Sequence, residues 1–235
     1  MIEIRGLSKS FGALRVLQQL DLTIAHGQVT AIVGPNAAGK TTLMKSLVGL
    51  VIPDAGDIRI DGQSVRGTSA YRRGLGYMPQ AARFPDNLTL DELLRLIRDL
   101  RGAPAPLQAE LLSLFDLEAT RTRPLRVLSG GTRQKISAVV ALMFDAAILI
   151  LDEPTAGLDP LSSRRCKDRL ARERDRGKTI VLASHVMSDL EELCDRVVFL
   201  VEGRVVFDGT LGEIRQRTAE PTLERAIATL MERGA

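Results

Sequence analysis

Gly34-Pro35-Asn36-Ala37-Ala38-Gly39-Lys40-Thr41-Thr42 decides how this chain is read. It fits G-x-x-x-x-G-K-[ST], the phosphate-binding loop or Walker A motif. Val29-Thr30-Ala31-Ile32-Val33 before it is apolar and β-branched, the pattern of a buried strand. Thr42 to Val48 after it predicts a helix. Strand, loop and helix together are the context the motif needs. Backbone N–H groups of such a loop point at phosphate oxygens, and the helix dipole favours the anion. In this reading Lys40 reaches the β- and γ-phosphates, and the Thr41 hydroxyl is a ligand for Mg²⁺.

The rest of the core follows the same logic. Ile148-Leu149-Ile150-Leu151 predicts a buried strand ending in Asp152-Glu153. A charged helix from Leu161 to Arg176 follows. Thr179-Ile180-Val181-Leu182-Ala183 is a further strand, ending at Ser184-His185. Alternating strands and helices argue for an α/β fold with a parallel sheet and its site at the carboxyl ends of the strands. Both carboxylates and the histidine fall at those ends. Asp152 suits support of a magnesium ion, and Glu153 suits a general base facing an attacking water.

Around this core, Ile2-Glu3-Ile4-Arg5, Leu20 to Ile24 and Ile58-Arg59-Ile60 alternate in polarity and predict a small antiparallel layer. Ser8 to Gly12 between the first two reads as a turn. Its Phe11 fits either plain packing or stacking on a nucleotide base, and periodicity does not choose between them. Gly76 to Gln80 ends another strand. Thr89-Leu90-Asp91-Glu92 is a capping box opening a helix, and Leu107 to Phe115 predicts another. These helices make residues 81–128 a helical subdomain inserted into one domain spanning 1–235. An amphipathic helix over 221–233 closes the chain. Phe84, in a Pro-containing loop, fits either packing inside the insert or contact with a partner.

Composition narrows the function. The chain has 235 residues, 45% hydrophobic, with only 3% aromatic and no Trp, so aliphatic residues fill the core. Its net charge of +3 is spread over charges of both signs, which does not favour a nucleic-acid partner. The basic run Arg164 to Lys178 is interleaved with Asp168, Glu173 and Asp175, as in a solvated helix face. Cys166 and Cys194 form no metal-binding spacing, which fits a reduced, cytoplasmic protein. Met1 to Arg5 lacks the apolar run of a signal peptide. Ala138 to Leu151 is broken by Asp145 and too short to span a bilayer. The chain is therefore expected to be soluble, and to reach any membrane through another subunit.

Leu128-Ser129-Gly130-Gly131-Thr132-Arg133-Gln134 is a second device of the same kind, glycines exposing N–H groups at a helix start. With the phosphate loop, Gln80, Ile148 to Pro154, Ala156-Gly157-Leu158-Asp159 and His185 in this order, the chain resembles an ATP-binding cassette (ABC) ATPase over about Ile2 to Gly209. The resemblance implies a head-to-tail dimer, expected here as a homodimer. Each ATP would sit between the phosphate loop (Gly34 to Thr42) of one subunit and Ser129, Gly130 and Gly131 of the other. Gln80 would contact Mg²⁺ and the water. His185 would hold the γ-phosphate and position Glu153. Asp159 would act across the interface, and Phe11 matches the adenine-stacking aromatic. The family role implied is a transporter motor on the cytoplasmic face of a membrane, bound to a separate transmembrane permease. The competing class is a soluble ABC ATPase acting on the ribosome or DNA, whose relatives carry paired cassettes, coiled coils or zinc ligands not found in this sequence.

Two details are finer. Family members usually have Gly where this chain has Ala37; either that position is unstrained, or nucleotide binding is weakened. Tyr77 to Gln80, Phe84 to Thr89, Leu128 to Lys135 and Ser184 to Glu192 further resemble the ATPase subunit of copper-processing transporters that serve nitrous oxide reductase maturation. Nothing in the chain itself reads as a copper site.

Overall fold

The computed structural model describes residues 1–233; positions 234 and 235 of the expected domain lie outside them. The chain opens with a hairpin, β1 (Ile2–Phe11) and β2 (Leu14–Ile24). Next come β3 (Val29–Val33), α1 (Lys40–Leu47), β4 (Ala55–Ile60), β5 (Gln63–Ser64) and β6 (Leu75–Met78). The helices α2 (Leu90–Arg101), α3 (Gln108–Leu114) and α4 (Gly130–Leu142) follow. Then β7 (Ile148–Asp152), α5 (Pro160–Asp175), β8 (Thr179–Ala183) and α6 (Met187–Leu193) alternate. The hairpin β9 (Arg196–Val201) and β10 (Arg204–Thr210) leads to α7 (Leu211–Thr218) and α8 (Leu223–Arg233).

The main sheet has six strands in the order β10-β9-β3-β8-β7-β6. All neighbours are parallel except the edge pair β10 and β9. A second, antiparallel sheet has the order β2-β1-β4-β5. The central strands are apolar on both sides because both faces are covered. Alternate residues therefore serve different cores. Val29, Ala31, Val33, Leu149, Leu151, Ile180 and Leu182 pack with the helices α2 to α8. Ile32, Ile148, Ile150, Val181 and Ala183 pack with α1 and the antiparallel sheet. Burying each such Leu or Ile contributes about 1.5–3 kcal/mol.

Strand register sets the position of the site. Ile32 pairs with Ala183, and Ala183 pairs with Asp152. The ends of β3, β7 and β8 thus lie level, and the residues just beyond them converge at one edge of the sheet.

The fold departs from the sequence reading at the first hairpin. Ser8 to Phe11 is strand, and the turn is Gly12–Ala13. Register shifts interrupt the β1–β2 pairing between Ile4 and Ser10, and Gly6 has φ +57. These bulges destroy the polarity alternation from which a strand is read. Phe84 is half-buried against the helical core, the packing alternative for that residue. The capping box at Thr89 forms: its hydroxyl accepts from Glu92 N, and the Glu92 carboxylate accepts from Thr89 N at 2.8 Å. Among the described residues no helix is long and apolar enough to cross a membrane.

Candidate nucleotide site

The loop between β3 and α1 is shaped by its glycines. A Cβ on Gly34 would stand 2.2 Å from the Leu200 carbonyl oxygen, so no other residue fits there. Gly39 has φ +102, and a Cβ on it would meet the Val16 carbonyl at 2.8 Å. Gly39 also occupies the cap position of α1, and no side chain caps that helix end. Its first-turn N–H groups are thus free of side-chain acceptors, as an anion site needs.

Lys40 folds back over this loop. Its Nζ donates to Gly34 O at 2.6 Å and Pro35 O at 2.9 Å. Burial lowers its pKa, opposed by the nearby Glu153 and Asp152 carboxylates. Thr41 Oγ1 donates to Asp152 Oδ2 at 3.0 Å. Asp152 is buried, and desolvation raises its pKa despite the Thr41 hydrogen bond. A cavity of about 230 Å³ opens here, lined by Asn36 to Thr42, Gln80, Asp152 and Glu153.

Glu153 stands at the end of β7 with its backbone in the left-handed region, φ +54. Its N–H donates to Ala183 O at 2.8 Å, tying it to the end of β8. Its Oε2 lies 2.8 Å from His185 Nδ1 and accepts a longer bond from His185 N at 3.4 Å. Glu153 is buried, whereas the His185 side chain is 73% exposed. A buried carboxylate facing a loop built for phosphate, with an exposed imidazole behind it, is an arrangement for activating water.

A model of the family described as "ABC transporter" matches residues 17–156. This chain belongs to the ABC transporter family.

Nod factor export ATP-binding protein I of Ralstonia nicotianae is 33% identical over 91% of this chain and 68% of its own length. The solved "ATP binding subunit of ABC transporter" has a TM-score of 0.91 at 32% identity, covering 98% of this chain and 99% of that one. A dimeric post-hydrolysis cassette bound to ADP and Pi has a TM-score of 0.79 at 25% identity, covering 90% of this chain and 99% of its own. The chain is accordingly an ATPase of the phosphate-loop α/β class.

Not every expected site residue of this ABC cassette meets in the cavity. Gly34 and Pro35 reach it through Lys40, and His185 through Glu153. Phe11 is half-exposed near the hairpin turn, with the Lys9 ammonium 5.3 Å from its ring centre, and does not line the cavity. Ser129, Gly130 and Gly131 lie at the start of α4, also outside it. Ser129 caps that helix, its Oγ accepting from Thr132 N at 3.2 Å. Asp159 likewise caps its own helix, accepting from Ser162 N at 2.9 Å and Ser162 Oγ at 2.6 Å. It also pairs with Lys135 at 3.0 Å. The Ser162 hydrogen bonds, ahead of Lys135, hold its carboxyl well below the usual carboxylate range.

Ala37 has φ +64, so the ABC cassette carries a side chain where the backbone favours glycine. The position is strained, which removes one of the two alternatives for it. Left-handed backbone costs a non-glycine residue roughly 1–2 kcal/mol.

The donors around Thr41 fit Mg²⁺. They are all oxygens: a hydroxyl, the Asp152 carboxylate 3.0 Å from it, and the Gln80 amide on the same wall. Among the described residues no cluster of three or more His, Cys, Asp or Glu would hold a metal by itself. Magnesium commonly uses one or two carboxylates and completes its shell with water and substrate phosphate.

Gln134 is the contact that sequence reading missed. It is buried on α4, and its Nε2 donates to the Glu153 carbonyl at 3.0 Å. A polar residue among the buried positions of a helix was the available signal.

Proposed function

We propose that this ABC cassette hydrolyses ATP at the described cavity, with Glu153 as general base and Asp152 and Thr41 as magnesium ligands. The observation that carries this is the buried Glu153 carboxylate, 2.8 Å from His185 Nδ1 and on the wall that includes Lys40 and Thr41. The phosphate chain of ATP lies along Gly34 to Thr42, its charge met by Lys40 and the N–H groups at the start of α1. Thr41, Asp152 and Gln80 would hold Mg²⁺, which would supply positive charge against the phosphates of ATP. Glu153 takes a proton from water as its oxygen bonds to the γ-phosphorus and the bond to the β-phosphate oxygen breaks. With Nδ1 engaged by Glu153, His185 Nε2 is the ring atom left for the γ-phosphate. Phe11 supplies the surface for the adenine.

The ATPase works as a head-to-tail homodimer in this proposal. Ser129, Gly130 and Gly131 lie outside their own cavity, which supports their use in a partner's site. The solved dimeric relative supports the same assembly. The dimer drives a separate permease from the cytoplasmic face of a membrane; the export role in the name of the Nod factor relative supports a part in transport. The whole chain, 1–235, acts as one domain with 81–128 as its helical subdomain. The finer reading, service to copper-dependent nitrous oxide reductase maturation, rests on the four segments quoted above. Loss of copper from that reductase on deletion of this chain tests it.

Glu153→Gln tests the base assignment. Turnover falls by about 100-fold or more while ATP binding persists, since general-base catalysis contributes 10²–10⁴-fold. Retained turnover contradicts it.

A further inference from the structure

Glu153 is held from three directions. Its N–H is fixed to β8 through Ala183 O, and its carboxylate faces His185. Its carbonyl accepts both Ala156 N at 3.2 Å and Gln134 Nε2 at 3.0 Å. Both lone pairs of that oxygen are thereby engaged. The Ala156 bond is local to the turn, whereas the Gln134 bond comes from another element, α4. It acts on a residue whose backbone, at φ +54, needs surrounding structure to hold it.

The same helix grips the rest of this segment. A Cβ on Gly131 would stand 2.9 Å from the Gly157 carbonyl oxygen, so the backbones approach there as closely as glycine permits. Lys135 Nζ lies 3.0 Å from Asp159 Oδ2. Gly131, Gln134 and Lys135 share a face of α4 at spacings of three and four residues. Residues 153 to 159 thus run against the first turns of the helix that Ser129 caps.

We propose that Gln134 is a positioning residue for hydrolysis, locking the backbone of Glu153 to the helix that starts at Ser129. The inference rests on the reading of Glu153 as general base. It follows that a displacement of α4 at its Ser129 end, where the proposed head-to-tail dimer places the partner's nucleotide, re-aims Glu153 in the chain's own site. One helix then serves both sites: Ser129 at its tip, and Gln134 one turn further on.

Gln134→Met keeps the length of the side chain and removes the donor. The expected result is kcat lower by about tenfold or more, with KM and ATP affinity within about twofold of the parent. In a Glu153→Gln background the same substitution lowers residual turnover by less than about twofold, because the group being positioned no longer acts. An equal fall in both backgrounds is the mark of a merely structural role and overturns the inference. So does unchanged kcat in Gln134→Met when Glu153→Gln alone is inactive. If Glu153→Gln alone keeps wild-type turnover, the base assignment itself fails and this inference with it. Should Gln134→Met not fold, Gln134→Leu removes the donor with a shorter apolar side chain, and is judged by the same two comparisons.

Discussion

The Lys40 ammonium lies 2.6 Å from the Gly34 carbonyl oxygen, closing the phosphate loop on itself. Burial lowers its pKa, so it gains from an anion that replaces the lost water. Lys40→Ala removes that cation together with the bonds to Gly34 and Pro35. ATP affinity is expected to fall by about 10- to 100-fold, the loss of one charge-assisted hydrogen bond at about 1.5–3 kcal/mol. Nucleotide titration of the folded variant measures this. Wild-type affinity would remove Lys40 from the binding site.

Ala37 is exposed at φ +64. Ala37→Gly relieves the strain but adds unfolded-chain entropy, so the change in stability is small, within about 1 kcal/mol. ATP affinity is expected to equal or exceed that of the parent, because the loop reaches its phosphate-ready shape without strain. Isothermal titration checks this. A marked loss of affinity would show that the methyl group is needed at the loop.

Asp145, in the turn between α4 and β7, pairs with Lys178 and Arg176. Hydrogen bonding from Lys178 is the largest cause holding its carboxyl below the ordinary 3.8. The folded protein therefore binds fewer protons at this site than the unfolded chain. The resulting stability is complete above the ordinary carboxylate pKa and is lost as pH falls through the lower, folded value. Asp145→Asn should lower stability at pH 7 by about 1 kcal/mol, since Asp145 is partly exposed. The difference from wild type should shrink steadily below about pH 4. Urea melts at several pH values measure it, and a pH-independent difference contradicts the ion-pair account.

The legible parts of this protein are those in which chemistry is contiguous. Gly34 to Thr42 carries its own motif, and Asp152, Glu153 and His185 mark strand ends that the parallel register brings level. The β9–β10 hairpin goes unread although Glu202-Gly203, both at positive φ, is a two-residue turn between Val-rich runs. The β1–β2 hairpin resists reading because bulges scramble its alternation. Gln134 and Glu153 are invisible as a pair, since a side-chain amide meets a backbone carbonyl nineteen residues away. Within the one chain Ser129 and Asp159 simply cap helices, so the roles that the family resemblance implies for them between subunits have no mark in the fold of a single subunit.

The central claim is that Ser129 completes the site of a partner chain, and mixed dimers test it most directly. Glu153→Gln is placed in all chains to block turnover, and dimer formation with ATP is followed by light scattering. Lys40→Ala and Ser129→Arg are each expected to abolish ATP-dependent dimers alone, since each homodimer has two damaged sites. Mixed together, they give one doubly damaged site and one intact site. The heterodimer of wild-type chain with Ser129→Arg provides the control, because it too retains one intact site; an affinity tag on the Ser129→Arg chain alone captures it apart from the wild-type homodimer. The account predicts dimers in both mixtures and none from either mutant by itself. Dimers in the control with none in the Lys40→Ala and Ser129→Arg mixture, each chain being folded, would contradict it.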